Sequence, residues 1–178
     1  MKKLLFGIFL MSIPFLSFEQ TGNTNVPDTL PAYKKNSHLP TFNILTIDST
    51  TYTNANLPAG KPVIIIYFSP ECGHCQYELG EIAKKMDSAN LTRAQFVLVS
   101  FHPIPDLKKF AATYGLTKFP NIVLGRDPKY FIPSFFRVEF TPYVAIYSPV
   151  REFAGEFRMG AKPQELSEVL DKFGWHAH

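Results

Sequence analysis

Val63 to Phe68 (VIIIYF) is a continuous apolar run that stops at Ser69-Pro70, and two residues later Cys72-Gly73-His74-Cys75 begins. An uninterrupted run of this length marks a strand buried on both faces rather than one with a wet side. A sheet covered on both faces needs helices above and below it. The residues after the run supply the first, since Tyr77, Ile82 and Met86, and likewise Leu79 and Ala83, recur at helical spacing from Gly73 to about Ala89. The two cysteines therefore sit where a buried strand hands over to a helix.

The remaining elements follow the same alternation. Phe42, Ile44 and Ile47 suggest a strand, with Thr50 to Thr53 as its hairpin partner. Gln95 to Phe101 reads as a second buried strand, and Pro105 to Tyr114 as a helix stopped by Gly115. Asn121 to Leu124 is a short strand. Gly125-Arg126-Asp127-Pro128 is a turn, and Lys129 to Phe136 is a short helix interrupted by Pro133. Its aromatics Tyr130, Phe131, Phe135 and Phe136 are expected to pack into the core. Tyr143 to Tyr147 and Arg151 to Phe157 are consecutive strands, and Lys162 to Phe173 is a final amphipathic helix. Alternating strands and helices predict an α/β sheet, mixed because its last two strands follow one another directly.

The N-terminal region differs. Lys2-Lys3 precede an uncharged, mostly apolar stretch, Leu4 to Phe18, which is short of the roughly 20 residues a membrane-spanning helix needs. Residues 1–19 therefore read as a signal peptide or membrane anchor, and the domain as exported. Residues 20–38 are polar and rich in proline, and read as a flexible linker; residues 39–178 form the domain. In a chain of 178 residues, 46% apolar and 19% charged, one such core is what the length allows. The net charge of +3 includes Lys2 and Lys3, and no basic stripe is left to favour nucleic acid.

Cys72 and Cys75 are the only cysteines, which excludes a disulfide-stapled scaffold and a zinc site built from two CxxC pairs. Haem attachment needs a histidine directly after Cys75, where Gln76 stands. The readings left open are redox catalysis, a structural disulfide in a binding module that does no chemistry, and a metal carrier. A copper carrier would add His102 or Met159 to the two thiolates. A four-residue ring removes little chain entropy, which disfavours a purely structural bridge. Redox chemistry suits the position. Unpaired N–H groups at a helix start stabilise a thiolate at Cys72, and His74 adds to this. Ser69, three residues before Cys72, is a fragment of a peroxidase pattern whose upstream proline is missing, because Ile65 occupies its place.

From Leu39 to Phe173 the chain resembles the thioredoxin superfamily, and within it the TlpA/ResA-like exported thiol-disulfide oxidoreductases. The likeness rests on the hairpin with Gly60-Lys61-Pro62, the buried strand, CGHC at a helix start, the strand–helix insertion Asn121 to Phe136, and Pro142 before a late strand. It implies a thioredoxin-like mixed sheet with helices on both faces, and dithiol–disulfide exchange with protein substrates without a cofactor or metal. It implies a membrane-bound thiol electron carrier as partner, in an extracytoplasmic (periplasmic) compartment, with a possible membrane tether through the N-terminal segment. In this resemblance Cys72 attacks and Cys75 resolves. Pro142 is the cis-proline packed against the cysteines, with Thr141 and Gly73 flanking the substrate backbone. Glu78 matches an acid that relays a proton for Cys75. The departures are Glu71 where the family usually has tryptophan, and Ile66 where thioredoxin has a buried acid. The Gly73-His74 pair matches protein disulfide isomerase and points to a more oxidising couple, whereas the TlpA-like pattern points to a reductase.

Overall fold

The computed structural model describes residues 30–174. In chain order these are α1 (Ala32–Lys35), β1 (Asn43–Thr46), β2 (Thr51–Thr53), β3 (Val63–Tyr67), α2 (Gly73–Lys85), β4 (Gln95–Ser100), α3 (Ile104–Tyr114), β5 (Ile122–Arg126), α4 (Phe131–Phe136), β6 (Tyr143–Tyr147), β7 (Phe153–Phe157) and α5 (Pro163–Asp171). The strands form one mixed seven-stranded sheet in the order β2-β1-β5-β4-β3-β6-β7. Strands β3, β4 and β5 run parallel, and β1, β6 and β7 each join antiparallel.

Every residue of β3 and of β4 is buried, as the apolar runs require. Alternate residues serve different layers, because successive side chains of a strand point to opposite faces. Ile64, Ile66, Phe96 and Leu98 join α2, α3 and α5 in one core, through Leu79, Ile82, Phe110, Leu166 and Leu170. Val63, Ile65, Val97 and Val99 join the other, roofed by α4 through Ile132 and Phe136 and by Tyr33.

Tyr33 corrects one expectation. Its side chain is 1% exposed and its ring centroid lies 5.3 Å from Phe136 and 5.2 Å from Phe153. Phe153 N–H donates to Ser37 O, Leu39 N–H donates to Arg151 O, and His38 bridges Glu152. Residues 30–38 are thus a packed arm of the domain, not a linker. A four-residue helix is too short to show a period, so only the packing reveals it. Residues 20–29 and the 1–19 targeting segment lie outside the described residues. Among the described residues no helix is long and apolar enough to cross a membrane.

Three further expectations change locally. Pro133 does not interrupt α4. It lies in the first turn, where its missing N–H is no loss. Asp127 is more than a turn residue: it is 1% exposed, and its carboxylate accepts the N–H groups of Ile132 (2.7 Å) and Lys129 (3.2 Å), capping α4. Tyr77, placed on the apolar stripe of α2 by its spacing, is 72% exposed instead.

Candidate active site

The ends of β3 and α2 position the thiols. Cys72 is the N-cap of α2, and its Sγ accepts the N–H of Cys75 at 3.4 Å. Its own N–H donates to Ser69 O at 3.1 Å, which fixes the turn between strand and helix. Burial alone would raise the Cys72 pKa. Hydrogen bonds from Cys75, from the Thr141 side chain and from the backbone of His74 outweigh burial and bring it below the ordinary thiol value. Here it is the main chain of His74 that acts on the sulfur; the His74 side chain is exposed. Cys75, one turn further on, is fully buried, and burial followed by the Cys72 side chain pushes its thiol up to about 12. Both thiols are unbonded.

Antiparallel pairing of β3 with β6 sets Tyr67 opposite Tyr143. The residues entering β6 therefore lie beside the residues leaving β3. The Thr141–Pro142 peptide is cis, and the Thr141 carbonyl lies 3.5 Å from Cys72 Sγ as a hydrogen-bond acceptor. Cys72, Cys75, Thr141 and Pro142 are thus brought together from segments almost seventy residues apart.

Glu78 is 7% exposed, and its Oε1 has no hydrogen-bond partner. Burial raises its pKa to about 7; the backbone of Ala161 works against this and the charge of Glu165 adds to it. Glu78 and Cys75 are three residues apart on α2 and both face inward. Gly160 covers this carboxylate with φ +87°. A Cβ there would collide with Glu78 and come within 2.9 Å of Pro142. Nothing in the spacing around Met159-Gly160-Ala161 singles out that glycine.

A second feature is also non-local. Ser69 Oγ lies 3.1 Å from His102 Nε2, joining the end of β3 to the loop after β4. The His102 ring sits tilted against Phe101, with centroids 4.3 Å apart, and Phe101 stacks on Tyr130. The side chain suggested as a peroxidase fragment thus belongs to a small polar–aromatic cluster at this end of the sheet. Among the described residues no three His, Cys, Asp or Glu side chains are grouped to hold a metal.

Comparison with known proteins agrees with this architecture. A secreted disulfide oxidoreductase of Mycobacterium tuberculosis homologous to E. coli DsbE superposes with a TM-score of 0.61 at 18% identity, covering 74% of this chain and 95% of its own. A thiol:disulfide interchange protein of the thioredoxin family from Chlorobium tepidum gives 0.64 at 16% identity, covering 82% and 97%. At such identities the likeness is one of fold, and the fold is thioredoxin-like. Bloodstream-specific protein 2 of Trypanosoma brucei brucei is 27% identical over 138 residues, or 73% of this chain. The match spans only 26% of that protein's length. Residues 36–162 match the AhpC/TSA family model, and with the strand–CGHC–helix geometry inside that span the chain belongs to the AhpC/TSA family.

Proposed function

We propose that the protein is an extracytoplasmic thiol-disulfide oxidoreductase acting on protein substrates through Cys72-Gly73-His74-Cys75. One observation carries the reading: two thiols one helical turn apart have opposite character. Cys72 is partly exposed and acidified, whereas Cys75 is buried and held protonated. Such a pair divides the labour of exchange, because a thiolate attacks and a protected thiol resolves.

In the reducing direction the Cys72 thiolate attacks one sulfur of a substrate disulfide. The Cys72–substrate S–S bond forms, the substrate S–S bond breaks, and the second substrate sulfur leaves as a thiolate that takes up a proton. Cys75 then gives its proton to Glu78 and attacks Cys72 Sγ. The Cys72–Cys75 disulfide forms and the first substrate sulfur leaves, to be protonated in turn. Two electrons pass from the protein dithiol to the substrate disulfide. Glu78, balanced near neutrality, is suited to accept and return that proton. Gly73, Thr141 and Pro142 form the wall along which the substrate backbone lies. No cofactor takes part, and a membrane-bound thiol carrier restores the dithiol. Export rests on residues 1–19, which also supply a possible tether.

The test is exchange with a defined disulfide peptide. Cys72→Ser abolishes exchange, and Cys75→Ser accumulates the peptide as a mixed disulfide on Cys72. Failure of the Cys75 variant to trap peptide overturns the mechanism. The potential sets direction: about −270 mV means a reductase, and about −120 to −180 mV an oxidant or isomerase.

A further inference from the structure

A groove of about 530 Å³ opens beside the thiols, between the first half of α2 and the turn joining β7 to α5. It starts at Gly73 and His74, the residues between the cysteines. Tyr77 and Met159 line it and are 72% and 69% exposed, so two large side chains with apolar faces meet solvent in the groove that begins at Gly73 and His74. The charged groups that line it are Glu78, Glu81 and Glu165 against Lys162 alone. Glu165 is occupied by the N–H of Lys162 at 2.6 Å, and Glu81 by Lys84 at 2.8 Å. Glu78, in the lining yet almost wholly buried, has no counter-charge and an unpartnered Oε1 among the described residues. A carboxylate withdrawn from water without a cation is costly to ionise.

We propose that this groove receives a lysine or arginine side chain of the substrate polypeptide, from a residue close to the cysteine that Cys72 attacks. Its aliphatic stem lies between Tyr77 and Met159, as long cationic side chains cover apolar surface while the head stays polar. The head enters the field of the three carboxylates, and a guanidinium also gains from the face of Tyr77. A docked cation supplies the counter-charge Glu78 lacks. It therefore favours the ionised carboxylate at the moment Cys75 must lose its proton, so the groove selects substrates and prepares the resolving step together. An acidic segment would meet repulsion here, and a purely apolar one would leave Glu78 uncompensated.

This inference rests on the oxidoreductase reading, and its test separates the two. The reduced protein is mixed with three symmetric disulfide-linked peptide dimers that differ only in carrying Lys, Gln or Glu two residues before and two after the single cysteine. Released peptide thiol is followed at about 20 mM and about 500 mM salt. The Lys dimer reacts about tenfold faster than the Glu dimer at low salt, with Gln between. The ratio shrinks at high salt, as expected for screened charges. Glu81→Lys, a change on a partly exposed helical side chain, leaves two carboxylates facing two lysines and abolishes the preference. Equal rates for all three dimers, or a ratio indifferent to both salt and Glu81→Lys, overturns the basic-residue subsite and leaves the exchange mechanism standing. No reaction with any dimer overturns the oxidoreductase reading and the subsite with it.

Discussion

Glu78 and Glu156 are both largely removed from water, and the fold treats them in opposite ways. Glu156, on β7, has a side chain 16% exposed, and its Oε2 accepts the hydroxyls of Tyr143 (2.7 Å) and Tyr33 (2.8 Å). Lys34 and Arg158 each lie 3.5 Å from its Oε1. Burial would raise its pKa, but the two tyrosines, then Arg158 and Lys34, bring it below the usual carboxylate value. Glu78 has no cation and an unpartnered oxygen, and burial lifts it to about 7. A satisfied carboxylate fixes structure: Glu156 clips the arm at Tyr33 to β6 through Tyr143. An unsatisfied one stores a protonation equilibrium near neutrality, which is useful beside a thiol that must lose a proton.

Removing the satisfied group should have the largest effect. Glu156→Ala leaves the Tyr33 and Tyr143 hydroxyls and two cationic side chains without their acceptor. A cost of about 3–4 kcal/mol is expected, from groups that each lose roughly 1–3 kcal/mol when unpartnered. Urea unfolding at neutral pH measures it. A loss under about 1 kcal/mol would mean the clip is ornamental to stability.

Glu78→Gln acts in the opposite sense. The folded pKa of Glu78 is raised, so the native state binds the proton more tightly than the unfolded chain. Its contribution is present below an unfolded value near 4.5 and is lost as pH rises to about 7. A shift of this size corresponds to roughly 3 kcal/mol. Relative to wild type, the Gln variant should therefore gain about that much stability between pH 4.5 and pH 8. Glu156, with a lowered pKa, gives the reverse: its stabilisation is present above 4.5 and is lost as pH falls below it. Unfolding curves across pH 3 to 8 for both variants separate the two windows, and a parallel shift at all pH values would refute the contrast. In exchange assays Glu78→Gln should slow resolution by Cys75 while leaving attack by Cys72 little changed.

Gly160 tests how closely the unsatisfied carboxylate is confined. Gly160→Ala places a Cβ against Glu78 and Pro142, at a φ that L residues rarely adopt. A loss of about 2 kcal/mol and a change in the pH profile of resolution are expected together, read by unfolding and by single-turnover exchange. Loss of stability with an unaltered pH profile would show that the glycine serves only the turn.

The two regions also differ in how far the sequence discloses them. The apolar run Val63–Phe68, the CGHC at its end and an acid three residues after Cys75 are local patterns, so a strand, a helix start and a candidate relay can be read along the chain. Pro142 needs the resemblance, because nothing local ties a proline to cysteines almost seventy residues away. The Glu156 clip leaves no local trace. Its partner Tyr33 is 123 residues distant, within a four-residue helix in a proline-rich stretch that reads as linker. Gly160 over Glu78, and the Ser69–His102 contact, 33 residues apart, are equally products of three-dimensional packing. Tyr77 shows the converse. Its spacing belongs to the buried stripe, yet it is exposed beside the thiols, where a groove replaces core.

The smallest expected effect isolates the clip from the ring that carries it. Tyr33→Phe keeps the aromatic contacts with Phe135, Phe136 and Phe153 and removes only the hydroxyl. Glu156 then keeps Tyr143, Arg158 and Lys34, and the loss is the hydroxyl's two hydrogen bonds, one to Glu156 and one accepted from Arg158 at 3.2 Å, about 1–2 kcal/mol because the site is partly open to water. Both the variant and wild type should exchange disulfides at rates within about twofold, because no Tyr33 contact reaches the thiols. If Tyr33→Phe instead costs as much as Glu156→Ala, the hydroxyl rather than the carboxylate organises the clip. The Tyr33 end of the arm would then be held by the hydroxyl's own bonds to Glu156 and Arg158 rather than by the carboxylate's several partners.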